Sequence, residues 1–150
     1  MATEPIKILF FDTGNYSRSP AAEVMAKAIA LRAGASHRFE FASAGMTDTH
    51  VGDEADPRTK LACDEMGYDL AGFRCTQADA SIFAAYDQIL AMDKNNLAAL
   101  RLALRDGDRA EISLLDPDRE IPDPYHGDQD AFRKVMDMIE HRVKEIVEGA

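Results

Sequence analysis

The sequence predicts an α/β domain of three layers, α/β/α, in which a parallel sheet of about four strands lies between helices. Three observations carry that expectation. Apolar runs too short for helices recur along the chain, stretches with helical spacing of apolar residues separate them, and loops rich in Gly, Pro and Asp close each unit. Strands that alternate with helices imply right-handed crossovers, and therefore parallel pairing with helices on both faces. No repeat or linker interrupts the 150 residues, so a single domain over 1–150 is expected, long enough to bury one core.

Ile6 to Phe11 reads as a short strand buried on both faces. Ser19 and Pro20 then supply an N-cap and N1 pair, and Ala21, Val24, Met25, Ala28 and Leu31 recur at helical spacing up to Gly34. Phe39 to Ala42 gives a second strand ending in Ser43-Ala44-Gly45. Asp56-Pro57 repeats the cap-and-proline signal for a helix to Gly67, with Leu61, Ala62 and Met66 inward. Tyr68 to Thr76 fits either a strand or an extended connection, and Ala80 to Ala85 one helical turn or two. Gln88 to Met92 is a third strand. Asp93 opens a helix with Leu97, Leu100 and Leu104 on one face, and Gly107 turns the chain into a fourth strand, Glu111 to Leu115. A long loop from Asp116 to Asp128 carries Pro117, Pro122 and Pro124. Phe132, Val135, Met136, Ile139, Val143 and Ile146 mark the clearest amphipathic helix.

The loop between the first strand and the first helix, Asp12 to Arg18, is the candidate site. A tight strand-to-helix loop aims several N–H groups and the positive end of a helix dipole at one small volume, which suits an oxyanion. Gly14 is expected to let the backbone turn with positive φ where a side chain would clash, and Arg18 adds a planar fork for two phosphoryl oxygens. In such sheets ligands bind beyond the carboxyl ends of the strands, where the late proline-rich loop also arrives. That loop holds Asp123 between two prolines, which reads either as an ordinary Asp-Pro turn or as a carboxyl held over a pocket. Tyr16 is either a cleft wall or a surface aromatic.

A net charge of −10 argues against a nucleic-acid or anionic-membrane partner. No apolar run approaches the roughly 20 residues of a bilayer span, and no basic segment precedes an apolar one at the N-terminus, so a cytoplasmic location is expected. Cys63 and Cys75 fit neither a disulfide framework nor a metal pattern and read as buried thiols. No metal and no cofactor are expected.

Gly14, Asn15, Arg18, Ser19 and Pro20, together with Asp123-Pro124-Tyr125, resemble the low-molecular-weight protein tyrosine phosphatase family, whose active-site loop runs Cys, five residues, Arg, Ser, Pro after a strand. Ser43-Ala44-Gly45, Asp56-Pro57-Arg58, Leu90-Ala91-Met92-Asp93, Asn96 and Phe132 extend the resemblance over most of the chain. It implies a phosphate-binding loop formed by Thr13, Gly14, Asn15, Tyr16, Ser17 and Arg18. It also implies Asp123 as general acid, Tyr125 as a cleft wall, and Asn15, Ser19 and Ser43 as braces of the loop. A phosphorylated protein or small phosphomonoester is the implied partner, with inorganic phosphate or sulfate able to occupy the loop.

Several positions depart from the family. Asp12 stands where the family keeps its nucleophilic cysteine, and no Cys-x5-Arg sequence occurs elsewhere in the chain. Thr49 lies where an aromatic wall is common, Phe73 and Thr76 lie near a usual histidine and arginine, and His126 takes the place of a second tyrosine. A carboxylate is a weaker nucleophile than a thiolate, so thiol-dependent hydrolysis is expected to be lost, as in a pseudophosphatase or a nucleophile-substituted variant. Two alternatives are an active phosphomonoesterase with Asp12 as phosphoryl acceptor and a partner-binding domain whose loop is a relic. The carboxylate is also expected to fill part of the anion site, by accepting loop N–H bonds or by pairing with Arg18.

Overall fold

The computed structural model describes residues 4–149 and contains a four-stranded parallel sheet in the order β2-β1-β3-β4. The strands are β1 (Ile6–Asp12), β2 (Phe39–Gly45), β3 (Gln88–Ala91) and β4 (Glu111–Leu114). The helices are α1 (Arg18–Arg32), α2 (Pro57–Glu65), α3 (Ile82–Ala85), α4 (Lys94–Ala103) and α5 (Gln129–Glu148). The expected three-layer α/β arrangement is what the chain forms. Alternation along β1 explains it, because Ile8 and Phe10 enter one apolar cluster with α1, α2 and α5 while Leu9 and Phe11 enter another with α3 and α4. The β1 register, Asp12 opposite Gly45 and Phe11 opposite Ala91, brings the ends of three strands to one edge.

Several sequence expectations are corrected in detail. Helix α1 starts at Arg18 with Ser17 in the cap position, so Ser19 and Pro20 fall inside its first turn. The Asp12 carboxylate takes the Ser19 N–H at 2.8 Å, which lets the helix begin before the Ser-Pro pair. Asp56 and Asp93 do cap α2 and α4, accepting from the N–H groups of Arg58 and Asn96 at 2.8 Å each. Leu31, Leu61 and Leu104 face outward instead of inward. Ile29 and Ala30 take the buried face beside Leu31, Thr59, Ala62 and Cys63 take that of α2, and Leu104 lies past the last turn of α4. Residues 68–76 form turns and an extended connection, which meets β2 where the Gly45 N–H bonds the Thr76 carbonyl at 2.9 Å, beside an isolated bridge of Gly45 with Gln77.

Candidate functional site

Beyond the carboxyl ends of β1 and β2 the loop 12–18 closes into a cup. Asp12, at the end of β1, is 2% exposed, and its two oxygens accept the N–H groups of Asn15 at 2.6 Å and Ser19 at 2.8 Å. Burial pushes this carboxyl above its ordinary range. The charge of Arg18 and the bonds from Ser19 and Asn15 oppose that rise without cancelling it. Thr13, Gly14, Tyr16 and Ser17 line the cleft above, and their N–H groups find no acceptor among the described residues. Such free donors at a helix start are what an oxyanion needs.

The cup keeps its shape through a buried polar network. The left-handed turn expected at Gly14 falls instead on the next residue: Asn15 adopts φ +53°, a conformation that asparagine tolerates better than most residues. Its side chain donates to Ser19 Oγ at 2.9 Å and Ser43 Oγ at 3.0 Å, and accepts the Thr76 N–H at 2.8 Å. Asn15 was expected both to brace the loop and to touch substrate, but it is fully buried beneath the cup and does not line the cleft. Gly45 is required where β2 passes under the loop, since a Cβ there would lie 2.6 Å from the Asn15 nitrogen.

Arg18 is 2% exposed, and its Nη1 donates to Asp93 Oδ2 and to the Ile121 carbonyl, both at 2.8 Å. Its Nη2 lies 3.7 Å from Asp123 Oδ2. Of the two arrangements expected for Asp12, it accepts loop N–H bonds, while Arg18 bonds Asp93 and the loop that carries Asp123 instead of pairing with it. That loop is held at its start by the Ile121 N–H bond to Met92 O at 2.8 Å. Asp123 accepts the Tyr125 N–H at 3.1 Å, an Asx turn, and its carboxyl stays half exposed at the cleft mouth.

Tyr16 and Tyr125 stand on the cleft rim with ring centroids 6.5 Å apart. The Tyr16 phenol is held above its ordinary range, first by burial and then by the Asp56 charge, so it stays neutral. His50 escaped the sequence reading. Its ring stacks on Tyr16 at 3.8 Å and 3°, and so supplies the aromatic surface that Thr49 lacks one residue earlier. A histidine beside the position of a missing aromatic was the available signal. Thr47 and Thr49 complete a cleft of about 170 Å3, smaller than the roughly 300–1,000 Å3 of drug-sized pockets. Among the described residues no cluster of His, Cys, Asp or Glu has metal-binding geometry, and no helix is long and apolar enough to cross a membrane.

The family description "Low molecular weight phosphotyrosine protein phosphatase" matches residues 7–149. The chain belongs to the low molecular weight phosphotyrosine protein phosphatase family. Among its relatives in that family, a low molecular weight protein-tyrosine-phosphatase of Streptomyces coelicolor is 38% identical over 95% of this chain and 96% of its own length. A putative low molecular weight protein-tyrosine-phosphatase of Synechocystis is 36% identical over 90% of each. The crystal structure of a protein tyrosine phosphatase from Entamoeba histolytica superposes with a TM-score of 0.87 at 28% identity, covering 96% of this chain and 98% of that one.

Proposed function

We propose that this phosphatase-family protein binds phosphomonoesters in the Asp12 to Arg18 cup and that Asp12 occupies the family's nucleophile position, so thiol-dependent hydrolysis is absent. The seat of Asp12 is the observation that carries this reading. Its carboxylate sits at the floor of the cup with one N–H bond on each oxygen. In that seat a thiolate would face phosphorus. A carboxylate there is held by its bonds, is intrinsically less nucleophilic, and would have to form an energy-rich acyl phosphate.

The remaining parts suit recognition of an aryl phosphate. The free N–H groups of Thr13, Gly14, Tyr16 and Ser17 would receive phosphoryl oxygens, with the Arg18 guanidinium alongside. Asp123 stands at the mouth, where a leaving oxygen would lie, and the stacked Tyr16 and His50 rings with Tyr125 would flank an aromatic ester such as phosphotyrosine. Thr13, Gly14, Tyr16, Ser17, Arg18 and Tyr125 are thus the proposed contacts, and Asn15, Ser19 and Ser43 the proposed braces.

The test is a titration of the unaltered chain with phenyl phosphate, with and without magnesium, followed for both complex formation and phenol release. Saturable binding without phenol is expected, and Arg18→Met should abolish it. Phenol release with an acyl phosphate trapped by hydroxylamine would instead establish Asp12 as a phosphoryl acceptor. No binding at all would leave the loop a relic.

A further inference from the structure

The first turn of α2 touches both walls of the cleft. The Asp56 N–H donates to the Tyr16 carbonyl at 2.9 Å, and Thr59 Oγ1 meets Ser17 Oγ at 2.6 Å, which ties this turn to the anion loop. Arg58 reaches the other way. Its Nη1 donates to the Tyr125 carbonyl at 2.8 Å, and its guanidinium carbon lies 5.2 Å from the centre of the Tyr125 ring and 4.4 Å from that of Phe132.

The guanidinium itself has little freedom. Its Nε and Nη2 both bond the Asp56 carboxylate, at 3.1 and 2.8 Å, and Asp56 is 1% exposed and already fixed as the α2 cap. A fork held on one side by a buried carboxylate presents its remaining nitrogen in a set direction, which a flexible ammonium could not reproduce. Tyr125, held by that nitrogen, in turn donates its N–H to Asp123 Oδ1 at 3.1 Å.

We propose that Arg58 is a positioning residue: it fixes the Tyr125 backbone, and through it the Asp123 carboxyl, at a set distance from the Asp12 to Arg18 cup. This rests on the reading of Asp123 as general acid. The consequence is specific. With Arg58 removed, the anion loop keeps its own braces, Asn15, Ser19 and Ser43, while the Tyr125 carbonyl loses its tie to α2 and Asp123 is left with its turn bond to a Tyr125 N–H no longer fixed from that side and with the Arg18 contact at 3.7 Å. Protonation of the leaving oxygen should then suffer more than binding of the phosphoryl group.

The experiment compares Arg58→Ala and Arg58→Lys in an Asp12→Cys background, using phenyl phosphate, whose leaving group needs a proton, and 2,4-dinitrophenyl phosphate, whose leaving group does not. We expect kcat for phenyl phosphate to fall about tenfold in both variants, with less than about a twofold change for the dinitrophenyl ester and for inhibition by inorganic phosphate. An equal fall for both esters would mark a merely structural role and overturn the proposal, as would no fall for either.

A second measurement needs no turnover and uses the chain with Asp12 in place. Amide hydrogen exchange of Tyr125 should speed up about tenfold in Arg58→Lys, while the Asn15 and Ser19 amides keep their protection. Unchanged exchange at Tyr125 overturns the proposal. If Asp12→Cys hydrolyses neither ester, the reading of the nucleophile position fails and the exchange result alone decides the role of Arg58.

Discussion

Asp12 Oδ2 accepts the Ser19 N–H at 2.8 Å, so a carboxylate at the end of one strand caps the helix that starts six residues later. An internal anion thus already answers the positive end of α1, where an external one would dock. The protonation state of Asp12 should therefore govern both stability and anion binding.

The sign follows from burial. The Asp12 carboxyl is raised above its ordinary value of 3.8, so between that value and the raised one the folded chain holds the proton that the unfolded chain has released. Its favourable contribution is complete below 3.8 and is lost as pH rises through the folded value. Urea unfolding over a pH series should show stability falling in this window relative to Asp12→Asn, which cannot titrate. Sulfate keeps its double charge throughout, and its affinity should rise by at least about tenfold on acidification in the unaltered chain, as repulsion across about 4 Å is removed. Asp12→Asn should show a flatter profile.

His50 stacks face to face on Tyr16 at 3.8 Å. His50→Ala should weaken phenylphosphonate binding by about 0.5–1.5 kcal/mol, the scale of one aromatic pair, and leave inorganic phosphate unchanged. Calorimetric titration of the two ligands separates these effects.

Asn15 joins Ser19, Ser43 and the Thr76 backbone beneath the cup. Asn15→Ala leaves these buried groups unpaired and puts a Cβ residue with no compensating bonds at positive φ, so a loss of about 2–4 kcal/mol is expected in denaturant unfolding. Asn15→Gly relieves the backbone alone and should recover only a minor part.

Burial pushes the Cys63 thiol up to about 12 and the Cys75 thiol up to about 11. Iodoacetamide at neutral pH should modify neither until the chain unfolds, by mass spectrometry. Asp12→Cys should add one thiol that reacts in the folded protein, since Arg18 and the loop amides favour a thiolate there.

The sheet and the approximate helix boundaries were legible because apolar period carries them directly. Ile8, Leu9, Phe10 and Phe11 form a run that a strand covered on both faces explains, and the α5 stripe is buried as expected from Phe132 to Val143, with Val147 fully buried and Ile146 partly so at its end. Leu31, Leu61 and Leu104 misled because one apolar residue beside a buried face looks the same in sequence as one within it. The Ser19-Pro20 cap misled because a side chain from the preceding strand outcompeted the local signal. At the site, Arg18 and Asp123 could be paired through a family resemblance. The reach of Arg58 to Tyr125 spans 67 positions and local spacing holds no trace of it, while the His50 stack, 34 positions from Tyr16, was marked only by a histidine beside the position of the missing aromatic.

Hydrolysis of p-nitrophenyl phosphate by this chain beside its Asp12→Cys variant tests the central claim most directly. The account predicts no turnover by the unaltered chain and phosphate-inhibited turnover by the variant, lost again on Arg18→Met. Equal turnover by both, or none by a folded variant that still binds phosphate, would contradict it.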